Sequence, residues 1–276
     1  SIAGGAPLSR SNDIVLADFN ADGKLDIAVL VNDTGYAPPK DWRAAKVGAL
    51  VLLLQGADPR DPSSWVQVSA STACIVPSPG ADCDMYFSSN DIGLVDLDVG
   101  DFDKDGRADI VVTSNEPNDP ADPSIPKRFV YLFLNPGAIG QSQADAANWH
   151  RTIIDADAAD FAALGVADLD SDGDLDIVAT APTGKSFNVR WLRNSNLATT
   201  WTTELVGQQE GGGNYIALGD LDGDGRIDVT AASVSASLVQ WFRNPGPAAL
   251  APGAAQVPWS VYNIGSLTSG TINQVQ

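Results

Sequence analysis

The chain alternates short apolar runs with acidic or proline-glycine turns and almost nowhere repeats with a helical period. Its most regular pattern is an apolar residue two places ahead of an aspartate cluster, with β-branched or small residues directly behind it. Leu16, Val99, Val166 and Leu218 lead; the clusters read DFNADGKLDIAV from Asp18, DFDKDGRADIVV from Asp101, DLDSDGDLDIVA from Asp168 and DLDGDGRIDVTA from Asp220. Each copy predicts two strands joined by an acidic loop of the form D-x-[DN]-x-D-G-x-x-D.

Two further landmarks recur. An apolar or aromatic run precedes an Asn-Pro-Gly-like turn in YLFLNPG, RWLRNSN and QWFRNPG, with LLLQGAD as a degenerate first copy. A tryptophan then opens another strand at Trp65, Trp149, Trp201 and Trp259. Each unit therefore reads strand, acidic loop, strand, connection, strand, turn, strand, within roughly 50 to 80 residues, the size of a propeller blade. The expected fold is all-β: a single β-propeller over 1–276 with four-stranded antiparallel blades at about 10–69, 91–155, 156–207 and 208–265. Val275 falls at the apolar position ahead of an acidic loop, so 266–276 is expected to begin a further blade of a larger ring. The alternative is a four-bladed ring whose surplus strand lies elsewhere. The strand-opening tryptophans are expected in the core, as are Trp191 and Trp241, which share a register with Leu52 and Leu132.

Charge narrows the partners. Sixteen Lys and Arg stand against 35 Asp and Glu, for a formal charge of −19, which disfavours nucleic acid and anionic membrane surfaces and favours divalent cations. No apolar run approaches the ~18 residues of a membrane-spanning helix, so no membrane insertion is expected. The opening SIAGGAPLSRSND lacks the basic start and apolar core of a signal peptide. Cys74 and Cys83, with proline and glycine between them, would permit a small disulfide-closed loop; two free thiols are the other reading. An oxidising, calcium-rich setting suits both features: secreted, periplasmic or cell-surface.

Counted from its first Asp, each acidic loop offers side-chain oxygens at positions 1, 3 and 5, glycine at 6 and Asp again at 9. Hard-cation loops are built this way, with alternate oxygens turned inward, a glycine at the bend and a backbone carbonyl near position 7. An EF-hand would need Glu at position 12, where this chain has Val29, Val112, Ala179 and Ala231. All-oxygen, strongly anionic ligands point to Ca²⁺ at about four sites.

These loops, with the strand-leading tryptophans and WFRNPG-like turns, resemble the FG-GAP/VCBS repeats of calcium-binding β-propellers, the family that includes the integrin α-subunit head and lectin-like modules. The resemblance implies calcium in the loop joining the first two strands of each blade. Carried onto this chain it implies ligands Asp18, Asn20, Asp22 and Asp26, then Asp101, Asp103, Asp105 and Asp109. The third and fourth sets are Asp168, Asp170, Asp172 and Asp176, then Asp220, Asp222, Asp224 and Asp228. Asn20 lowers the charge of the first loop. The family's phenylalanine-glycine and glycine-alanine-proline signatures are not clear, which places the match at the VCBS-like end.

Strand alternation puts the acidic loops and Asn-Pro-Gly turns on one face and three long insertions on the other: 32–46, about 70–90 and 115–127. Tyr36, Trp42, Tyr86 and Phe87 supply aromatics there, with Lys40, Arg43, Lys127 and Arg128 as donors. Tyr36, Trp42, Arg43 and Tyr86 are the candidate ligand residues, for a glycan or an extracellular protein; decorative, proline-stiffened loops, or packing against a neighbouring domain or further blades of the same protein, are the bland reading. Evidence for catalysis is thin. The one histidine, His150, follows a repeat tryptophan, and only Tyr36 with Arg43 forms a local pairing worth testing. The expectation is a calcium-stabilised binding or adhesion module. The alternatives are the propeller portion of a carbohydrate-active enzyme such as a polysaccharide lyase, and an architectural piece of a surface assembly.

Overall fold

The computed structural model describes residues 11–31, 47–68, 86–88, 94–115, 128–137, 149, 151–157, 161–180, 188–250 and 259–266. Four antiparallel sheets and the loops that join their strands make up most of them. The first runs in the order β1 (Ser11–Ala17), β2 (Asp26–Val31), β3 (Val47–Leu54) and β4 (Val66–Val68), with β5 (Tyr86–Ser88) also paired to β3. The second holds β6 (Leu94–Gly100), β7 (Asp109–Asn115), β8 (Arg128–Phe133) and β9 (Arg151–Asp157). The third holds β10 (Ala163–Ala167), β11 (Asp176–Thr180), β12 (Asn188–Ser195) and β13 (Thr200–Gln208). The fourth holds β14 (Tyr215–Gly219), β15 (Asp228–Ser233), β16 (Leu238–Arg243) and β17 (Ser260–Ser266). Within each sheet the strands lie side by side in chain order, the four-stranded meander of a propeller-like blade. Among the described residues helix is confined to a 3₁₀ turn at Pro62–Ser64 and one turn, α1, at Pro247–Leu250.

The second strand of each sheet is sandwiched on both edges, which explains its composition. All of β11, DIVAT, is buried, and Ile110, Val111 and Val112 of β7 are closed off from solvent. β-branched side chains fill a pleated surface covered on both faces at little rotamer cost. The first strand is more open: Leu16, at the apolar position ahead of its loop, is 57% exposed. Burial passes instead to the second residue of the loop, where Phe19, Phe102 and Leu169 are closed off.

The chain divides into two compact units. Ser1–Asp101 with Asp105–Ala158 carries the first two sheets; Phe102–Lys104 with Ala159–Gln276 carries the other two. In the first unit Phe19, Leu30, Leu52, Val112, Phe133 and Trp149 belong to one core cluster, and the Leu97 amide donates to Asp13 Oδ2 at 3.1 Å. In the second, Val178, Trp191, Val229, Phe242, Leu250 and Trp259 do the same.

Of the strand-opening tryptophans, Trp149 and Trp259 are core residues, as expected. Trp65 and Trp201 are only half-buried, because each indole N–H turns back to a carbonyl of the preceding turn: Pro59 at 3.1 Å and Ala198 at 3.0 Å. The shared register of Leu52, Leu132, Trp191 and Trp241 holds, since they pair with Ala28, Val111, Val178 and Thr230, each two residues beyond the last Asp of its loop. Leu52, Leu132 and Trp191 are buried; Trp241 is half-buried and stacks on Tyr262, ring centroids 4.8 Å apart.

The first sheet contains an element the sequence pattern did not disclose. β4 pairs with Leu52–Leu54 and stops; β5 then takes the same edge of β3 opposite Val47–Ala49. The edge is thus completed by two pieces of chain separated by 69–85. Cys74 and Cys83 fall in that stretch and lie outside the described residues, as do His150 and the 267–276 portion of the expected further blade.

Candidate metal centre

The four acidic loops share one backbone conformation, dictated by their spacing. Position 6 has positive φ in every copy, Gly23, Gly106, Gly173 and Gly225 lying between 82° and 89°. Position 4 is left-handed as well, at Ala21, Lys104, Ser171 and Gly223. Two left-handed residues flanking position 5 coil the loop so that its amides point inward at the first Asp. Asp18 accepts from the amides of Asp22 (3.1 Å) and Gly23 (2.7 Å). Asp101 accepts from Asp105 and Gly106, Asp168 from Asp172 and Gly173, and Asp220 from Asp224 and Gly225. Position 5 accepts from the amide of position 7 in each loop, at 2.8 to 3.1 Å.

The ninth residue has a different environment. Asp26, Asp109, Asp176 and Asp228 are all fully buried. One oxygen accepts from the amide of position 2, at 3.0 Å from Phe19, 3.0 Å from Leu169 and 3.2 Å from Leu221. The other accepts from the amide that opens the turn after the third strand: Gln55 at 2.7 Å, and Asn135, Asn194 and Asn244 at 2.8 Å. This carboxylate ties the acidic loop to the neighbouring turn, which ligand spacing alone did not reveal. Burial is the main influence on Asp26, Asp170 and Asp176, raising each carboxyl above its ordinary range and Asp176 to about 7.

The turn asparagines carry a second function that went unread in the sequence. Asn135 Nδ2 donates to the Phe19 carbonyl in the loop of the preceding sheet and to the Ala108 carbonyl, both at 3.0 Å. Asn244 Nδ2 donates to Leu169 O (2.8 Å) and Ile227 O (2.9 Å), and Asn194 Nδ2 to Phe102 O (3.2 Å). Their Oδ1 atoms accept from Gly137, Gly246 and Ala198. The signal was available in the repeated Asn of NPG, NSN and NPG, with Gln55 as the one departure.

Chemically, three loops bring carboxylates into the arrangement a cation requires. One carboxylate oxygen each from Asp101, Asp103 and Asp109 lies within 4.8 Å of the others, as do those of Asp168, Asp170 and Asp176 and those of Asp220, Asp222 and Asp228. Oxygens each about 2.4 Å from a common Ca²⁺ are at most about 4.8 Å apart, so the spacing suits one ion per loop. The first loop, with Asn20 at position 3, forms no such carboxylate triple among the described residues. In the first, second and fourth loops position 5 pairs with the basic residue at position 7: Asp22 with Lys24 at 2.8 Å, Asp105 with Arg107 and Asp224 with Arg226. The Lys24 hydrogen bond holds Asp22 below the usual carboxylate range, and the Arg243 hydrogen bond does the same to Asp222.

Residues 101–179 and 168–231 each match the family model of the FG-GAP-like repeat. Residues 101–231 carry FG-GAP-like repeats. Among curated proteins no match is found. The matched FG-GAP span contains the second, third and fourth acidic loops, the three whose carboxylates converge. The first loop lies outside it and is also the copy with Asn20 at position 3 and Gln55 in the turn.

The candidate ligand residues on the insertions fare differently. Tyr36, Trp42 and Arg43 lie outside the described residues; Tyr86 sits in β5, its backbone opposite Ala49. Among the described residues no helix is long and apolar enough to cross a membrane.

Proposed function

We propose that this chain is a calcium-stabilised propeller-type binding module working outside the cytoplasm, with ions in its acidic loops and a glycan or protein ligand on its insertion face. The carboxylate convergence in the loops of the second, third and fourth sheets carries the calcium half of the reading. The residues suit the ion: three anionic oxygens per loop, no nitrogen or sulfur ligand, and two left-handed residues that hold the loop coiled. Bound calcium would neutralise carboxylates that otherwise repel one another by about 1 to 4 kcal/mol per pair at 4 Å. The FG-GAP repeats support an extracellular setting, where free calcium is abundant.

Strand order supports the placement of the ligand face. The acidic loops join first to second strands and the asparagine turns follow third strands, so both fall at one end of each sheet. The connections 32–46 and 116–127 join second to third strands and leave from the opposite end. Tyr36, Trp42 and Arg43 belong to the first of these. Aromatic rings against sugar C–H faces, with Arg as donor, fit a glycan. A broad glycan array probed with the chain in calcium and in EDTA tests this reading. Calcium-dependent binding that Tyr36→Ala with Trp42→Ala abolishes, at unchanged melting temperature, is the expected result. Binding untouched by that pair would remove the insertion face from the proposal.

A further inference from the structure

We propose that Arg193 is a built-in counter-ion of the third acidic loop, so that this loop is a weaker calcium site than the fourth, whose arginine is partly exposed. The proposal rests on the calcium reading above and concerns how the chain divides the task between metal and guanidinium.

The residue just before the turn asparagine, or Gln55 in the first copy, sits at the end of the third strand, beside the acidic loop of its own sheet. It is Leu54 in the first sheet, Leu134 in the second, Arg193 in the third and Arg243 in the fourth. Both arginines reach the carboxylate at position 3 of their loop. Arg193 pairs with Asp170, and Arg243 Nε pairs with Asp222 Oδ2 at 2.5 Å. The leucines bring no charge to the same place. At this position the four sheets therefore fall into two kinds, two with an arginine paired to position 3 of their loop and two with a leucine.

The two arginines differ in how firmly they are held. The Arg243 side chain is 37% exposed and, among the described residues, bonds to carboxylates of its loop, Asp222 and Asp224, so an arriving ion can displace it into water. The Arg193 side chain is 8% exposed, and its anchors do not depend on the loop. Its Nη1 donates to the Leu250 carbonyl at 2.7 Å, and its guanidinium carbon lies 5.2 Å from the centroid of the buried Trp191 ring. Moving it away from Asp170 would break a buried hydrogen bond and a cation–π contact. A divalent ion entering the third loop meets a fixed positive charge already bonded to one of its ligands. Lys104 adds a second charge there by pairing with Asp174 at 2.5 Å.

The test is calcium titration by calorimetry on the chelator-stripped full chain, comparing wild type with Arg193→Gln, Arg243→Gln and the double variant Arg193→Gln, Asp170→Asn. Glutamine keeps a donor for Leu250 and removes the charge. Arg193→Gln is expected to tighten one site at least tenfold, a gain that Asp170→Asn in the same chain abolishes; Arg243→Gln is expected to tighten its site less. Melting supplies an independent readout. Arg193→Gln should melt well below wild type in EDTA, with the gap closing in calcium, because the ion then replaces the lost charge. Wild type that takes up calcium with an isotherm superimposable on that of Arg193→Gln overturns the proposal and leaves the calcium reading standing. An equal melting loss in both buffers also overturns it, since Arg193 would then be a packing residue only. No uptake by either protein brings down the calcium reading and this proposal together.

Discussion

Asn135 Nδ2 lies 3.0 Å from the carbonyl oxygen of Phe19, a residue 116 positions earlier and in the acidic loop of the neighbouring sheet. The same bond joins Asn244 to Leu169. Each asparagine thus fastens its own turn to the loop of the preceding sheet, and that loop is where a cation would sit. Loop order and sheet-to-sheet packing are consequently one problem.

Asn135→Ala should cost about 2 to 4 kcal/mol of unfolding free energy, since three hydrogen bonds of about 1 kcal/mol each disappear and buried carbonyls are left without their donor. Urea denaturation measures it. Asn135→Asp should be no better: it keeps the acceptor for Gly137 but sets a carboxylate against the carbonyls of Phe19 and Ala108. A cost under half a kcal/mol for either variant would show that the turn holds without this clasp.

Much of this was legible in the sequence because the repeat is short and its chemistry is local. Asp, Gly and Asp at fixed offsets specify a coiled loop without reference to anything distant, and the apolar runs on either side are strands wherever they fall. Partners far apart in sequence were not legible. The role of Asn135 depends on Phe19, and that of Arg193 on Asp170 and Leu250; no local pattern announces either. β5 was hidden for the same reason, since 69–85 separates it from the strand whose edge it continues.

The ninth Asp should be separable from the other ligands by its backbone bonds. Asp228 accepts from Leu221 N with one oxygen and from Asn244 N with the other. Asp228→Asn retains only one acceptor and turns an NH₂ toward the remaining amide, so it should destabilise the protein by about 1 to 3 kcal/mol even in EDTA. Asp222→Asn, whose partner Arg243 is partly exposed, should leave the EDTA melt closer to wild type and mainly reduce the calcium-dependent rise. Calcium at about ten times its Kd adds about 1.4 kcal/mol per site, which a thermal melt resolves. Equal behaviour of the two variants in EDTA would remove the distinction.

Loop glycines offer a cleaner backbone test. Gly106 has φ +86°, and a Cβ there would meet nothing within 4 Å, so Gly106→Ala isolates the left-handed penalty, about 1 to 2 kcal/mol. Gly137, at φ +77°, is different. A Cβ would sit 2.8 Å from Arg107 Cζ, displacing a side chain that donates to the Asn135 carbonyl at 3.1 Å. Gly137→Ala should therefore be the more damaging in urea denaturation, and the reverse order would contradict this geometry.

Asp176 supplies a pH dependence whose sign differs from that of a salt-bridged carboxylate. Burial pushes its carboxyl up to about 7, against the stabilising amides of Asn194 and Leu169. A carboxyl whose folded value exceeds its unfolded value, about 3.9, holds its proton more tightly in the folded state. Its contribution to stability is fully present below that unfolded value and is lost as pH rises through about 7. Asp26 and Asp170 are raised in the same direction. Metal-free protein should therefore be more stable at pH 5 than at pH 8. Calcium selects the ionised carboxylate, so its stabilising effect should grow with pH over the same window and flatten or reverse the trend. Urea midpoints in EDTA and in calcium, at pH 5, 6, 7 and 8, measure both slopes. Asp176→Asn, neutral at every pH, should remove most of the EDTA slope. An EDTA midpoint that climbs from pH 5 to 8 would mean that Asp176 is ionised throughout, its two amides outweighing its burial.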